Sequence, residues 1–142
     1  MNIVVPVDGS PAALRAVKHA IAMAKAKRGS RLTLVNVQNL VTVGMGEAAI
    51  VLPAEVEDRM IRRLGKAATR AAAAACAKAR VKFKALIEQG PIAPTVVGVA
   101  RRERADHIVM GTRGMGGVRG LILGSVATQV VHLASVPVTL VK

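Results

Sequence analysis

The sequence predicts an α/β protein built on an open, all-parallel, five-stranded sheet with helices on both faces. Three observations predict it. Short apolar runs rich in β-branched residues alternate with stretches of helical periodicity along the whole chain. The alternation reads β-α-β-α-β-α-β-α-β, and strands separated by helices are the pattern of a parallel sheet. Hydrophobic residues fill 52% of 142 positions, enough to bury the core of one domain and too many for a disordered chain.

The run from Ile3 to Val7 is nearly continuous and β-branched, as expected of a strand buried on both faces. Ser10 and Pro11 then supply a helix N-cap and a first-turn proline. Ala13, Leu14, Val17, Ala20, Ile21 and Ala24 recur at helical spacing, and Gly29 suits the stop. A second strand covers Leu32 to Val37. From Gln38 to Pro53 the chain has two glycines and no clean period, and reads as a long loop of the kind that often serves function.

Residues 54 to 80 form the longest helix, rich in alanine. Its apolar stripe is expected along Met60, Leu64, Ala67, Ala71 and Ala75, with Arg59, Arg62, Arg63, Lys66 and Arg70 opposite. Glu55, Glu57 and Asp58 sit where they complement the helix dipole. Val81 to Glu88 is a third strand, and Gly90-Pro91 turns the chain into a helix from about Ala93 to Arg104. His107 to Met110 is a fourth strand. A glycine-rich loop from Gly111 to Leu123, a helix from Gly124 to Ala134 and a last strand from Val136 to Val141 complete the chain.

Lys and Arg number 21 against 8 Asp and Glu, a formal charge of +13 that argues for anionic company. The lone cysteine, Cys76, excludes an internal disulfide framework and reads as a small packing residue. His19, His107 and His132 stand in no catalytic order with Cys76 or a serine, so each reads as solvated or locally hydrogen-bonded. With no Trp or Tyr and only Phe83, the chain lacks the stacking platforms of a single-strand nucleic-acid reader. The uncharged stretch from Gly120 to Val141 is long enough to span a bilayer, but Ser125, Thr128, Gln129, His132, Ser135 and Pro137 interrupt it. A helix followed by a buried strand explains it better. The N-terminus carries no basic leader, so a cytoplasmic protein without membrane contact is expected.

The chemistry concentrates between Gly111 and Ser125. Glycines let backbone N–H groups approach a phosphate, and a helix N-terminus adds its dipole and unpaired donors. The Ser125 hydroxyl can donate, and Arg113 and Arg119 bring positive charge. A loop outside the carboxyl end of a strand is where open α/β sheets bind ligands. No G-x-x-x-x-G-K-[ST] occurs and no glycine triplet fits G-x-G-x-x-G, which removes a P-loop NTPase and weakens a dinucleotide site. Glycine content alone equally suits a plain crossover loop.

Gly111-x-x-Gly114, nine further residues and Gly124-Ser125 match G-x2-G-x9-G-[ST]. With that spacing the chain resembles the ATP-binding branch of the universal stress protein family. The opening Ile3-Val4-Val5-Pro6-Val7-Asp8-Gly9-Ser10, the strand Leu32-Thr33-Leu34-Val35-Asn36-Val37 and the ending Val136-Pro137-Val138 extend the likeness over essentially the whole chain. The resemblance implies a single nucleotide-binding domain over 1–142, of the adenine nucleotide alpha hydrolase-like kind. Its sheet order would be 3-2-1-4-5, and it would usually form a homodimer. It also implies a site for ATP, alone or with Mg²⁺ or Mn²⁺ on the phosphates. Asp8 would lie near adenine and ribose, with Pro6 and Val7 lining that end and the Val37 main chain at the adenine edge. Met110, Gly111, Arg113 and Gly114 would lie along ribose and phosphates, and Gly124, Ser125 and Val126 would hold the phosphate tail. Read on its own, Asp8 suits either a ribose acceptor past a central strand or a turn residue before Gly9.

A regulatory nucleotide-binding protein of the stress response, hydrolysing ATP slowly at most, is the leading expectation. No general acid/base pair is visible, so no catalytic residue is assigned. Two other classes compete: a basic protein binding duplex nucleic acid through its charge, and a small adenylyl-transfer enzyme. The basic row from Arg59 to Arg70 suits a solvated helix face or an anionic partner. In a 3-2-1-4-5 sheet, Val136 to Val141 is an edge strand with only Lys142 to blunt it, so it is expected to pair antiparallel with its copy.

Overall fold

The computed structural model describes residues 1–39, 53–115 and 123–142. Five strands and four helices alternate along them: β1 (Asn2–Pro6), α1 (Pro11–Ala26), β2 (Arg31–Gln38), α2 (Ala54–Lys78), β3 (Lys82–Gln89), α3 (Ile92–Arg102), β4 (His107–Gly111), α4 (Ser125–Leu133) and β5 (Val138–Val141). Every strand pair is parallel, and the order is β3-β2-β1-β4-β5. The expected fold is the observed one. The long loop expected from Gln38 to Pro53 falls mostly outside the described residues, as does the part of the glycine-rich loop at 116–122 that includes Arg119.

β1 occupies the sheet centre because its residues are apolar on both faces. Ile3, Val5 and Val7 turn to one side with Leu32 and Leu34 of β2, where α1 and α2 cover them. Val4 turns to the other with Val35, Ile108 and Met110, under α3 and α4. Burying each such aliphatic side chain contributes roughly 1.5–3 kcal/mol, so the central strands are the main source of stability. Ser10 caps α1 as expected: its Oγ accepts from the Ala13 N–H at 3.1 Å, and Pro11 occupies the first turn.

The far end of the sheet is knitted by side chains. The Asn2 N–H donates to Asp106 Oδ2 at 2.7 Å, and its amide donates to the Glu103 and Arg104 carbonyls. Arg31 Nε donates to Asn2 Oδ1 at 2.8 Å. Lys84 pairs with Glu103 and Arg102 with Glu88, tying α3 to the edge strand β3 and neutralising two of the basic residues. His107 is locally bonded, its Nε2 lying 2.8 Å from Thr139 Oγ1, while His19 and His132 are exposed.

The expected stripe on α2 is corrected. The face against the sheet is Ile61, Gly65, Thr69, Ala72 and Cys76, while Met60 and Leu64 are 37% and 44% exposed. The true face lies one residue, about 100°, around the helix. Alanines on every side of this helix leave two apolar stripes in the sequence, and the sheet takes the one carrying Ile61. The basic row is exposed as expected, Arg59, Arg62, Arg63, Lys66 and Arg70 alike.

Cys76 is wholly buried, and burial pushes its thiol up to about 11 from an ordinary 9.0. The folded protein keeps a proton that the unfolded chain releases, so stability falls as pH rises from about 9 to about 11. The loss should approach 2–3 kcal/mol at about 1.36 kcal/mol per unit. Urea unfolding of wild type and Cys76→Ala across that range should show a decline that the variant partly lacks. A thiol reagent at pH 8 should leave the native protein unlabelled. None of the described helices is long and apolar enough to cross a membrane.

Candidate functional site

A parallel sheet directs all its strand ends one way, and the order β3-β2-β1-β4-β5 reverses between β1 and β4. The connections leaving those two strands run to opposite faces, and the crevice between the diverging loops is where open α/β sheets take ligands. A cleft of about 400 Å³ opens at this point. All eleven residues singled out from the sequence line it. Pro6, Val7 and Asp8 come from the end of β1 and the turn after it, and Val37 from β2. Met110, Gly111, Arg113 and Gly114 come from β4 and its exit, and Gly124, Ser125 and Val126 from the start of α4. Sequence reasoning missed Ala13, Val35, Asn36, Ile92, Val96 and Ala127, which also line it. Ile92 and Val96 stand one turn apart on α3, a spacing that in sequence is the same as ordinary core packing.

Each end of the cleft offers different chemistry. On β2, the N–H and C=O of alternate residues point to opposite neighbours. Val35 O accepts from the Val7 N–H at 2.8 Å on the β1 side, and Gln38 O accepts from the Gly90 N–H at 3.1 Å on the β3 side. Val37 therefore turns its N–H and C=O toward β1, where that strand has ended. No main-chain partner meets them among the described residues. A donor beside an acceptor at the cleft wall is a fit for one edge of a flat polar ring, and Pro6, Ile92 and Val96 supply apolar walls.

Asp8 occupies the middle. Its Oδ1 accepts from the Ser10 N–H and its Oδ2 from the Met115 N–H, each at 2.9 Å, so the carboxylate clamps the β4 exit to the β1 exit. Gly114 makes this possible: a Cβ there would stand 2.6 Å from Asp8 Oδ2. At Gly111 a Cβ would press at 3.0 Å on Ala12, so α1 lies directly on the end of β4. Gly111 and Gly114, two of the three motif glycines, thus serve close approach. Asp8 acts as a turn residue and still has lone pairs facing the cleft, so the two readings of it are compatible.

At the far end, the Gly124 N–H donates to Thr112 O at 2.7 Å and fixes the start of α4 beside the β4 exit. Gly124 is the N-cap and brings no side-chain acceptor, which leaves the first-turn N–H groups of Ser125, Val126 and Ala127 without a cap. Uncapped donors, the helix dipole, the Ser125 hydroxyl and Arg113 together favour an anion. Among the described residues, no group of three or more His, Cys, Asp or Glu side chains is placed to hold a metal ion.

Comparison with known proteins finds relatives over the whole length of the chain. The model of the Universal stress protein family matches residues 1–142. A Thermus aquaticus protein described as "Universal stress protein in QAH/OAS sulfhydrylase 3'region" is 39% identical over 141 residues, covering 99% of this chain and 98% of its own. Among solved structures, the hypothetical protein MJ0577 superposes with a TM-score of 0.80 at 26% identity, over 99% of this chain and 94% of that one. A universal stress protein family protein from Arabidopsis thaliana, crystallised with AMP bound, shares the fold with a TM-score of 0.68 at 20% identity, over 100% of this chain and 91% of its own.

Proposed function

Since the chain belongs to the universal stress protein family, we propose that it is a nucleotide-binding regulatory protein of the stress response whose cleft takes ATP. The observation that carries this reading is the convergence, in one cleft, of three features: the Val37 main chain, which no described main-chain group meets, the Asp8 carboxylate, and the start of α4, which has no side-chain cap among the described residues. Adenine would lie between the apolar walls with its edge on Val37. Asp8 would accept from the ribose hydroxyls. The N–H groups of Ser125 and Val126, the Ser125 hydroxyl and Arg113 would hold the phosphates. Mg²⁺ or Mn²⁺, where present, would be carried on phosphate oxygens. Asp8 is the acidic side chain among the described lining residues and is committed to positioning, so hydrolysis is slow at most. A protein of this fold holds AMP, which supports an adenine nucleotide as the ligand class.

The whole chain acts as one domain in the cytoplasm and pairs as a homodimer through β5. The exposed basic row on α2 leaves room for a second, salt-dependent contact with an anionic partner.

The absence of Trp and Tyr makes the test simple. Protein purified without added nucleotide should absorb near 260 nm far more than at 280 nm, through co-purified adenine nucleotide. ATP at about a hundred times its Kd should add about 2.7 kcal/mol of stability and raise the melting temperature. No band at 260 nm and no thermal shift would remove the reading.

A further inference from the structure

The parallel ladder between β1 and β2 stops one rung early. Its rungs advance by two residues: the Arg31 N–H donates to Met1 O at 2.9 Å, and the series ends with the Val7 N–H on Val35 O at 2.8 Å. The next rung in this register is the Val37 N–H on Val7 O. It is not made. The Asn36 side chain takes its place, Nδ2 donating to Val7 O at 2.7 Å. The orientation of that amide is fixed from the other side, because Gln38 Nε2 donates to Asn36 Oδ1 at 2.6 Å. Asn36 is 3% exposed, so it holds a buried brace between two strand ends.

We infer that Asn36 is a positioning residue for base selection: by satisfying Val7 O it keeps the Val37 N–H free for an adenine edge. This rests on the nucleotide reading of the cleft. Adenine presents the N1 acceptor beside the N6 amino donor, which complements the Val37 N–H and C=O. Guanine presents the reverse pair, a donor at N1 beside an acceptor at O6, and sets like against like. Without the Asn36 amide, Val7 O is a buried acceptor lacking a partner, and the Val37 N–H is the donor the ladder register brings to it. Closing that rung withdraws from adenine a hydrogen bond that guanine never had.

The test compares ATP with GTP by calorimetric titration of wild type, Asn36→Leu and Asn36→Asp. Leucine keeps the volume without a donor, and aspartate at neutral pH cannot donate to Val7 O. Both should weaken ATP on the order of tenfold and leave GTP nearly unchanged, so that the ATP-to-GTP ratio drops by that factor. Equal loss for both nucleotides, or an unchanged ratio, overturns the inference while the nucleotide reading stands. A wild type that binds neither nucleotide removes both. Amide hydrogen exchange supplies a measurement that needs no variant. In nucleotide-free wild type the Val37 amide should exchange fast, and ATP should protect it. A Val37 amide already protected without nucleotide would show that the rung is closed, and would overturn the inference.

Discussion

Asp8→Ala should weaken ATP binding by about a hundredfold. The carboxylate accepts from the Ser10 and Met115 N–H groups at 2.9 Å each, and in the proposed nucleotide pose it would accept from ribose as well. A hydrogen bond to a charged group is worth about 1.5–3 kcal/mol, or roughly ten- to a hundredfold in affinity. Alanine removes the ribose acceptor and also unfastens the β4 exit from β1, so the cost falls near the upper end. Asp8→Asn keeps one acceptor oxygen and should lie between the two. Titration calorimetry gives the affinities, and a thermal melt separates site loss from unfolding. An Asp8→Ala protein that folds and binds ATP as tightly as wild type would reduce Asp8 to a turn residue.

Leu140→Lys should convert a dimer into a monomer. Ile108 N–H donates to Pro137 O and Thr112 N–H to Val141 O, so these alternate residues of the β5 segment face β4. The main-chain groups of Val138 and Leu140 therefore face outward from an edge with no further strand beyond it among the described residues. All four β5 side chains are only half-buried. Such an edge recruits another strand unless charge or a bulge blunts it, and antiparallel pairing with its own copy satisfies both edges at once. A lysine in so short a pairing brings two like charges close together across the two-fold axis, which is destabilising. Sedimentation at micromolar concentration should find a wild-type dimer and a Leu140→Lys monomer. A wild type that sediments as a monomer at every concentration defeats the proposal.

Strand ends were legible because they are written in local chemistry. Pro6, Asp8, Gly111 and Gly124 each break a strand or open a helix, and the fold class then sends those breaks to one side of the sheet. Ile92 and Val96 were not legible as cleft residues, since an apolar pair one helical turn apart serves a core and a cleft wall equally. Asn36 was hidden differently. It is a polar residue inside a β-branched run, and only the interrupted ladder shows what it satisfies. On α2 the error came from alanine, whose small side chain marks neither face. Ile61 and the buried Cys76 decide the matter, and no periodicity computed over alanines could rank them above Met60 and Leu64.

The central place of β1 has a consequence for how the chain is made. β1 leaves the ribosome before the other four strands, yet its second neighbour is β4, joined through Ile3 opposite His107. One side of this deeply buried strand must wait for residues about a hundred positions downstream. At about 5–20 residues per second that is a delay of roughly 5–20 s with a hydrophobic strand open on one side. Pairing with β2 and coverage by α1 come early, and they are the protection available in that interval. Variants that weaken α1 or β2 should therefore harm yield during synthesis more than they harm the finished protein.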